Sequence, residues 1–212
     1  MTVSTSATLL TVLTSATSRR ESTALASAVP IASVLFITAL TATAAQVSVP
    51  LPFTVVPLTL QPMVVLIGGL ALGSRLGAAS QILYLAAGLA GLPVFAASAA
   101  LPPGPLRLLG PTGGYLMAYP LAAFVTGWLA ERGLDRRYPG SFAAMLAGLA
   151  LIFISGITWL ALFARAASGS AAVGFAAALA TGLYPFLVAD IVKLAIASGL
   201  VPAIWRAVGR PR

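Results

Sequence analysis

Two ionisable residues three apart, Asp190 and Lys193, interrupt the apolar run Tyr184-Pro185-Phe186-Leu187-Val188-Ala189-Asp190-Ile191-Val192-Lys193. Inside a membrane helix such groups cost about +2.5 to +3.5 kcal/mol each on insertion scales, so they mark a function or a compensating partner. Positions i and i+3 share a helix face. The pair therefore reads either as an ion pair that staples helices or as part of a solute site. Pro185 suits a first helical turn. From it Asp190 lies roughly 7 Å and Lys193 roughly 12 Å along the axis at 1.5 Å per residue.

Three further features carry polar chemistry. Gly110-Pro111-Thr112-Gly113-Gly114-Tyr115 joins a turn to an apolar run. Paired glycines permit close backbone approach, amides at a helix start face an acceptor, and Tyr115 can stack on or hydrogen-bond a ligand. A plain turn before a helix has the same appearance, and no Gly-Lys-Ser/Thr follows to make a phosphate loop. Arg107, three residues before Gly110, is either a bidentate holder of a carboxylate or a solvated loop charge. In Val56-Pro57-Leu58-Thr59-Leu60-Gln61, Thr59 and Gln61 open a short run that contains Pro62, where they line a cavity or cap the helix.

The elements that must hold these residues are membrane helices. Of 212 residues 59% are hydrophobic and 8% charged, against about 25% charged in soluble domains, and the mean hydropathy is +1.02. Apolar runs at about 24–49, 58–73, 76–92, 112–130, 141–164 and 184–206 approach the roughly 20 residues that span a bilayer. Residues 170–182 are weakly apolar and fit a short interfacial helix. The fold class expected is an all-α integral membrane bundle of six transmembrane helices. A mobile tail at 1–22 precedes one membrane domain at 23–206, and a basic tail follows at 207–212.

With the N-terminus inside, the inner segments hold nine arginines (Arg19, Arg20, Arg75, Arg132, Arg136, Arg137, Arg206, Arg210, Arg212) and the outer ones hold Arg107 and Arg165. That bias puts both termini in the cytoplasm. The last helix then enters from outside, and all four polar features fall on the extracytoplasmic side. Together they suit a small solute with an anionic end and a polar neutral end.

Composition also excludes. There is no Cys and no His, and the acids are Glu21, Glu131, Asp135 and Asp190. Thiol chemistry, disulfides and the usual zinc ligand sets are out, as is the commonest general base. A lone membrane carboxylate does not make an aspartyl protease, so no enzyme, metal or cofactor is expected. The net charge of +8 is scattered between apolar runs and is not the stripe that nucleic acid requires. Small residues recur: Ala24, Ala28 and Ala32 four apart, then Ala39 and Thr43, and a cluster at Gly68, Gly69, Gly73 and Gly77. They let helix backbones pack closely, within the protein or against another membrane protein.

Four blocks resemble the BioY family of biotin transporters, the substrate-binding S components of energy-coupling-factor transporters. They are Val56-Pro57-Leu58-Thr59-Leu60-Gln61-Pro62, the stretch Leu83-Tyr84-Leu85 through Pro93-Val94-Phe95-Ala96, Gly110 to Tyr115, and Tyr184 to Lys193. The resemblance covers about 30–206. It implies a six-helix S-component-like bundle in the cell membrane of a prokaryote, with biotin bound near the outer surface. It implies biotin contacts from Asp190, Lys193, Gly113, Gly114 and Tyr115, with Phe95 packing on the ring or closing the site. Lys193 or Gln61 would then donate to the ureido carbonyl and Arg107 or Lys193 to the carboxylate, with Thr59 in the same site. The family usually has Gly-Gly after the Phe-Ala pair, where this chain has Ala97-Ser98. The resemblance further implies a membrane T component and two ATP-binding subunits that alone use ATP, although some members work without a dedicated module. Ala24, Ala28 and Ala32 would form the docking face. Another vitamin as solute, or a non-transporting scaffold subunit, is the alternative.

Overall fold

The computed structural model describes residues 8–10, 23–97, 104–162 and 174–208, with the backbone alone at 23–27 and 208. The Ala24 side chain, most of the 1–22 segment, Arg165 and residues 209–212 lie outside the described residues. Helix α1 (Thr23–Gln46) leads into a hairpin of β1 (Ser48–Val49) paired antiparallel with β2 (Leu58–Thr59). Helices α2 (Gln61–Leu72), α3 (Ser74–Leu89), the short α4 (Leu106–Leu109), α5 (Gly113–Met117) and α6 (Tyr119–Ala130) follow. A 3-10 turn (Leu134–Arg136) leads to α7 (Tyr138–Leu162), α8 (Phe175–Gly182), α9 (Tyr184–Ala197) and α10 (Leu200–Val208).

Helices occupy all six expected runs, but among the described residues only Ala28–Gln46, Tyr138–Leu162 and Tyr184–Ala207 are each long and apolar enough to cross a membrane alone. Proline explains part of the difference. Pro120 has no N–H for the Leu116 carbonyl, and the helix is interrupted at Ala118 between α5 and α6. Pro185, by contrast, stands at the start of α9, where it leaves the run at 184–206 intact. Helix α2 has 12 residues, between a start at Gln61-Pro62 and the turn at Gly73, where φ is 85°. The run at 170–182 yields α8, which lies against α7 and buries Ala178 completely.

Helix α6 is the centre of the bundle and packs on α2, α3 and α7. Its buried residues, Tyr119, Ala122, Ala123, Thr126, Gly127 and Ala130, recur at three and four. They are mostly small, so neighbouring backbones come close. A Cβ on Gly69 would lie 2.5 Å from the Ala123 carbonyl oxygen, and one on Gly77 3.0 Å from the Gly69 Cα. The glycine cluster is therefore internal packing. Ala28 and Ala32, by contrast, are exposed on α1 beside Ile31, Leu35 and Phe36. Large apolar side chains also face outward on the other helices, among them Ile82, Leu121, Ile154, Val188 and Ile196. Water would penalise that surface, and a bilayer does not. This is a membrane protein.

Polar side chains tie helices internally. Thr38 donates to the Ser80 carbonyl at 2.8 Å and Gln81 donates to Thr41 at 3.3 Å, fastening α1 to α3. One end of the bundle gathers the α2–α3 turn, the last turn of α6, the 3-10 turn and α10. There Glu131 accepts from the Ser74 N–H and hydroxyl, both at 2.8 Å, placing a carboxylate at the start of α3 where the helix dipole favours it. Part of the segment read as a mobile tail is packed at this end: Thr8 and Leu9 are buried, with the Thr8 methyl over Gly73.

At the same end Asp135, 1% exposed, accepts a hydrogen bond from the Trp205 indole N–H at 2.6 Å. Its other oxygen has no protein partner among the described residues. Burial pushes this carboxyl above its ordinary value of 3.8, against the opposing pull of the Trp205 donor and the Arg136 charge. The folded protein then holds this proton more tightly than the unfolded chain. The resulting stabilisation is full below the unfolded value and is lost as pH rises through the folded one. Asp135→Asn keeps an acceptor for Trp205 and removes the buried charge. It is expected to melt above wild type at neutral pH, with the gap closing toward about pH 4. Asp135→Ala leaves the indole unpaired and is expected to lose about 1–3 kcal/mol. Fluorescence-detected thermal unfolding in detergent, repeated across pH, measures both.

Candidate solute-binding site

The opposite end of the bundle gathers the hairpin and the starts of α2, α5 and α9. Along α9 the buried residues are Phe186, Asp190, Leu194 and Ala197, a stripe at helical spacing that turns Asp190 inward. Lys193, one turn further, is ion-paired with Asp190 and donates to the Thr59 carbonyl at 2.7 Å. Thr59 is the last residue of β2. The hairpin thus carries it to α9 across 134 residues of chain.

From Thr59 the polar contacts continue. Its hydroxyl accepts from the Gln61 amide at 3.4 Å. Gln61, buried at the first residue of α2, donates through its side chain to the Tyr84 hydroxyl at 2.6 Å, and Tyr84 donates to the Val94 carbonyl at 3.2 Å. Phe95 meets the Tyr84 ring edge-on at 5.4 Å between centroids and lies over Gly88, where a Cβ would collide with it. Tyr119 also stacks with Tyr84, at 6.4 Å between centroids. Neither Tyr84 nor Tyr119 stood out in the sequence as a site residue. A signal was present for the first: Gly77, Gln81, Tyr84 and Gly88 are three and four apart on α3, so its hydroxyl had to find a buried partner.

Arg107 is buried, not solvated, and donates to the Ala96 carbonyl at 2.7 Å. It fastens α4 to the segment after Phe95. Gln46, the last residue of α1, donates to the Pro93 carbonyl at 3.2 Å and so holds the other side of that segment. Asp190, Lys193, Thr59, Gln61, Phe95 and Arg107 therefore form one connected end of the bundle.

Gly113, Gly114 and Tyr115 stand apart from that line. A Cβ on Gly113 would strike the Leu108 carbonyl, and one on Gly114 the Trp159 side chain. The Gly114 carbonyl accepts from Ser155 at 2.7 Å, and Trp159 donates to the Gly110 carbonyl at 2.9 Å, locking α5 to α7. The Tyr115 ring lies over Gly156, and its hydroxyl donates to the Gly182 carbonyl at 2.9 Å. These residues reach α9 through α8.

Among the described residues the arrangement has capacity to spare. An ammonium has three donors, of which Asp190 and Thr59 take two. A carboxylate accepts through two oxygens, and Lys193 takes one. In an apolar bundle such charge-assisted bonds are stronger than in water. A ligand with an adjacent donor and acceptor could therefore use both members of the pair.

The BioY family model matches residues 14–210. The chain belongs to the BioY family. Among curated relatives it is 42% identical over 159 residues to a probable biotin transporter of Pyrococcus horikoshii, covering 75% of this chain and 85% of that one. It is 35% identical over 161 residues to the biotin transporter of Thermotoga maritima, covering 76% and 86%. The crystal structure of the S-component for biotin from an ECF-type ABC transporter superposes with a TM-score of 0.73 over 88% of this chain and 95% of that one, at 23% identity. This chain thus shares the S-component fold.

Tyr84→Phe removes the partner of the buried Gln61 amide and is expected to cost about 1–3 kcal/mol of stability. Gln61→Leu with Tyr84→Phe removes both ends and is expected to cost less than the two single changes summed. Thermal melts of the three variants measure the coupling. Strict additivity would mean that the 2.6 Å contact contributes nothing.

Proposed function

We propose that this chain binds biotin at the end of the bundle that holds Asp190 and carries it across the membrane as the substrate-binding S component of an energy-coupling-factor transporter. The observation that carries this reading is the Asp190–Lys193 pair, opposite charges on the buried side of an otherwise apolar helix. The biotin transporters among its relatives support it.

Biotin's chemistry fits the groups available. Its ureido ring offers two N–H donors beside a carbonyl acceptor, and its side chain ends in a carboxylate. Asp190 accepts from a ureido N–H. Lys193 and Arg107 serve the ureido carbonyl and the carboxylate, with the Gln61 amide and Thr59 beside them. Phe95 and Tyr84 cover the ring. Gly113, Gly114 and Tyr115 hold the wall by fixing α5 to α7 and α8. Replacing water by these fixed partners is what makes the buried charges worth their insertion cost.

The apolar runs support six helical spans, the distribution of arginines supports cytoplasmic termini, and the family resemblance supports the cell membrane of a prokaryote. That orientation supports a site toward the outside. A membrane T component and ATP-binding subunits supply the energy, and this chain captures the solute. Ala28 and Ala32, exposed on α1 with Ile31, Leu35 and Phe36, support a docking face for the T component that extends to Ala24. Loaded with biotin, the bundle rotates in the membrane and releases it inward.

Equilibrium binding to the purified protein in detergent, with other vitamins as competitors, tests the assignment. Wild type is expected to bind biotin alone of the panel. Asp190→Asn is expected to bind about 10- to 100-fold more weakly, the loss of one charge-assisted hydrogen bond. Folded wild type that fails to bind biotin would refute the reading. The topology is tested separately. The chain has no native cysteine, so Phe53→Cys and Ala207→Cys are expected to react with an impermeant maleimide from outside and inside respectively.

A further inference from the structure

The loop from Glu131 to Arg137 holds two acids and three arginines in seven residues, and the fold sorts them by sign. Glu131 turns inward to the start of α3, bonded to Ser74. Asp135 turns inward to Trp205 and is lost to solvent. Arg132, Arg136 and Arg137 are all exposed, as is Arg206 on α10. The acids are thus turned away from the face that the arginines present; Arg136 still acts on Asp135, but three arginines against two acids leave the loop net positive.

Two of the arginines are held against aromatic rings. The Arg132 guanidinium lies 3.2 Å from the centre of the Trp128 ring and donates to the Trp128 carbonyl at 2.9 Å. That of Arg136 lies 5.5 Å from the centre of the Trp205 ring. Such contacts orient the guanidinium plane and reduce the entropy lost when it binds. Trp128 and Tyr138, on either side of the loop, are themselves about half exposed. Beyond them on α6 and α7 lie the outward apolar residues Phe124, Leu121, Leu146 and Ile154. Amphipathic rings at the border of an apolar belt mark the headgroup level of a bilayer.

We propose that Arg132, Arg136 and Arg137 form a binding surface for the phosphate of an anionic phospholipid. A guanidinium fork matches two phosphate oxygens, and Arg132 spends one of its five N–H donors on Trp128. An acidic partner protein would satisfy the same charge. The half-exposed Trp128 and Tyr138 favour the lipid, because they set the arginines at the depth of the phosphates. This inference concerns the membrane alone and does not depend on the solute carried.

Native mass spectrometry of the full chain, released from nanodiscs of equal phosphatidylglycerol and phosphatidylcholine, tests it. Wild type is expected to retain phosphatidylglycerol preferentially. Each arginine removed is expected to weaken that retention on the order of fivefold, so that Arg132→Gln, Arg136→Gln, Arg137→Gln together abolish the preference. Arg75→Gln, an exposed arginine at the same end, is expected to keep it. Equal retention of the two lipids by wild type, an unaltered preference in the triple variant, or an equal loss in Arg75→Gln would each overturn the proposal. So would displacement of phosphatidylglycerol by millimolar inorganic phosphate, which would assign the patch to a soluble anion. Equal lipid retention together with capture of an acidic peptide by the patch would assign it to a protein. Should the triple variant fail to fold, Arg132→Gln and Arg136→Gln decide singly, each expected to show the fivefold loss.

Discussion

At Gly69 the backbone of α2 comes so near α6 that a Cβ would lie 2.5 Å from the Ala123 carbonyl oxygen, and Gly127 meets the backbone of Gly73 in the same way. In lipid, apolar side chains gain little by turning toward one another, and helices associate by close packing and by hydrogen bonds. Small residues on α6 make that packing available on several sides at once, to α2, α3 and α7. The rest of the molecule depends on it. Helix α2 begins with Gln61 and α3 carries Tyr84, and the 2.6 Å bond between them requires their helices to run as close as the glycines allow.

A second constraint follows from the first. A bundle with a lipid-facing surface leaves no water for buried polar groups, so each must find its partner within the protein. At the end that holds Asp190 those partners form a line from Lys193 to Thr59, Gln61, Tyr84 and the segment around Phe95, fastened by Arg107. On the proposed reading, the same groups that close this end also receive the solute. Binding can therefore exchange internal partners for those of a ligand without leaving a charge bare. Loop closure and solute recognition would then draw on one set of donors and acceptors.

At the other end charge is sorted. Glu131 and Asp135 are turned into the protein and the arginines around them outward, although they alternate along one short loop. Among the described residues, one end of the molecule thus holds its charges on internal partners, and the other turns its acids inward and its arginines outward. That polarity agrees with the two proposals, a solute with an anionic end and a polar neutral end at one end of the bundle and a headgroup layer at the other.

Composition and the positions of proline and glycine made the membrane class legible, and with it the helical runs, because an apolar stretch has few alternatives in lipid. The family and the expensive pair Asp190 and Lys193 were legible for a related reason: a charge in such a helix is conspicuous. The break at Leu183 falls where the runs at 170–182 and 184–206 had put it, whereas the sequence did not reveal that Pro120 interrupts one run. Nor did it show that Gly113, Gly114 and Tyr115 are spent on packing against Trp159, Ser155 and Gly182. Tyr84 and Tyr119 passed as ordinary apolar-helix aromatics. What decides their roles is which side chain faces them across 23 residues or more of chain. That is settled by how closely α2, α3 and α6 approach, a property of three helices together and of no one of them.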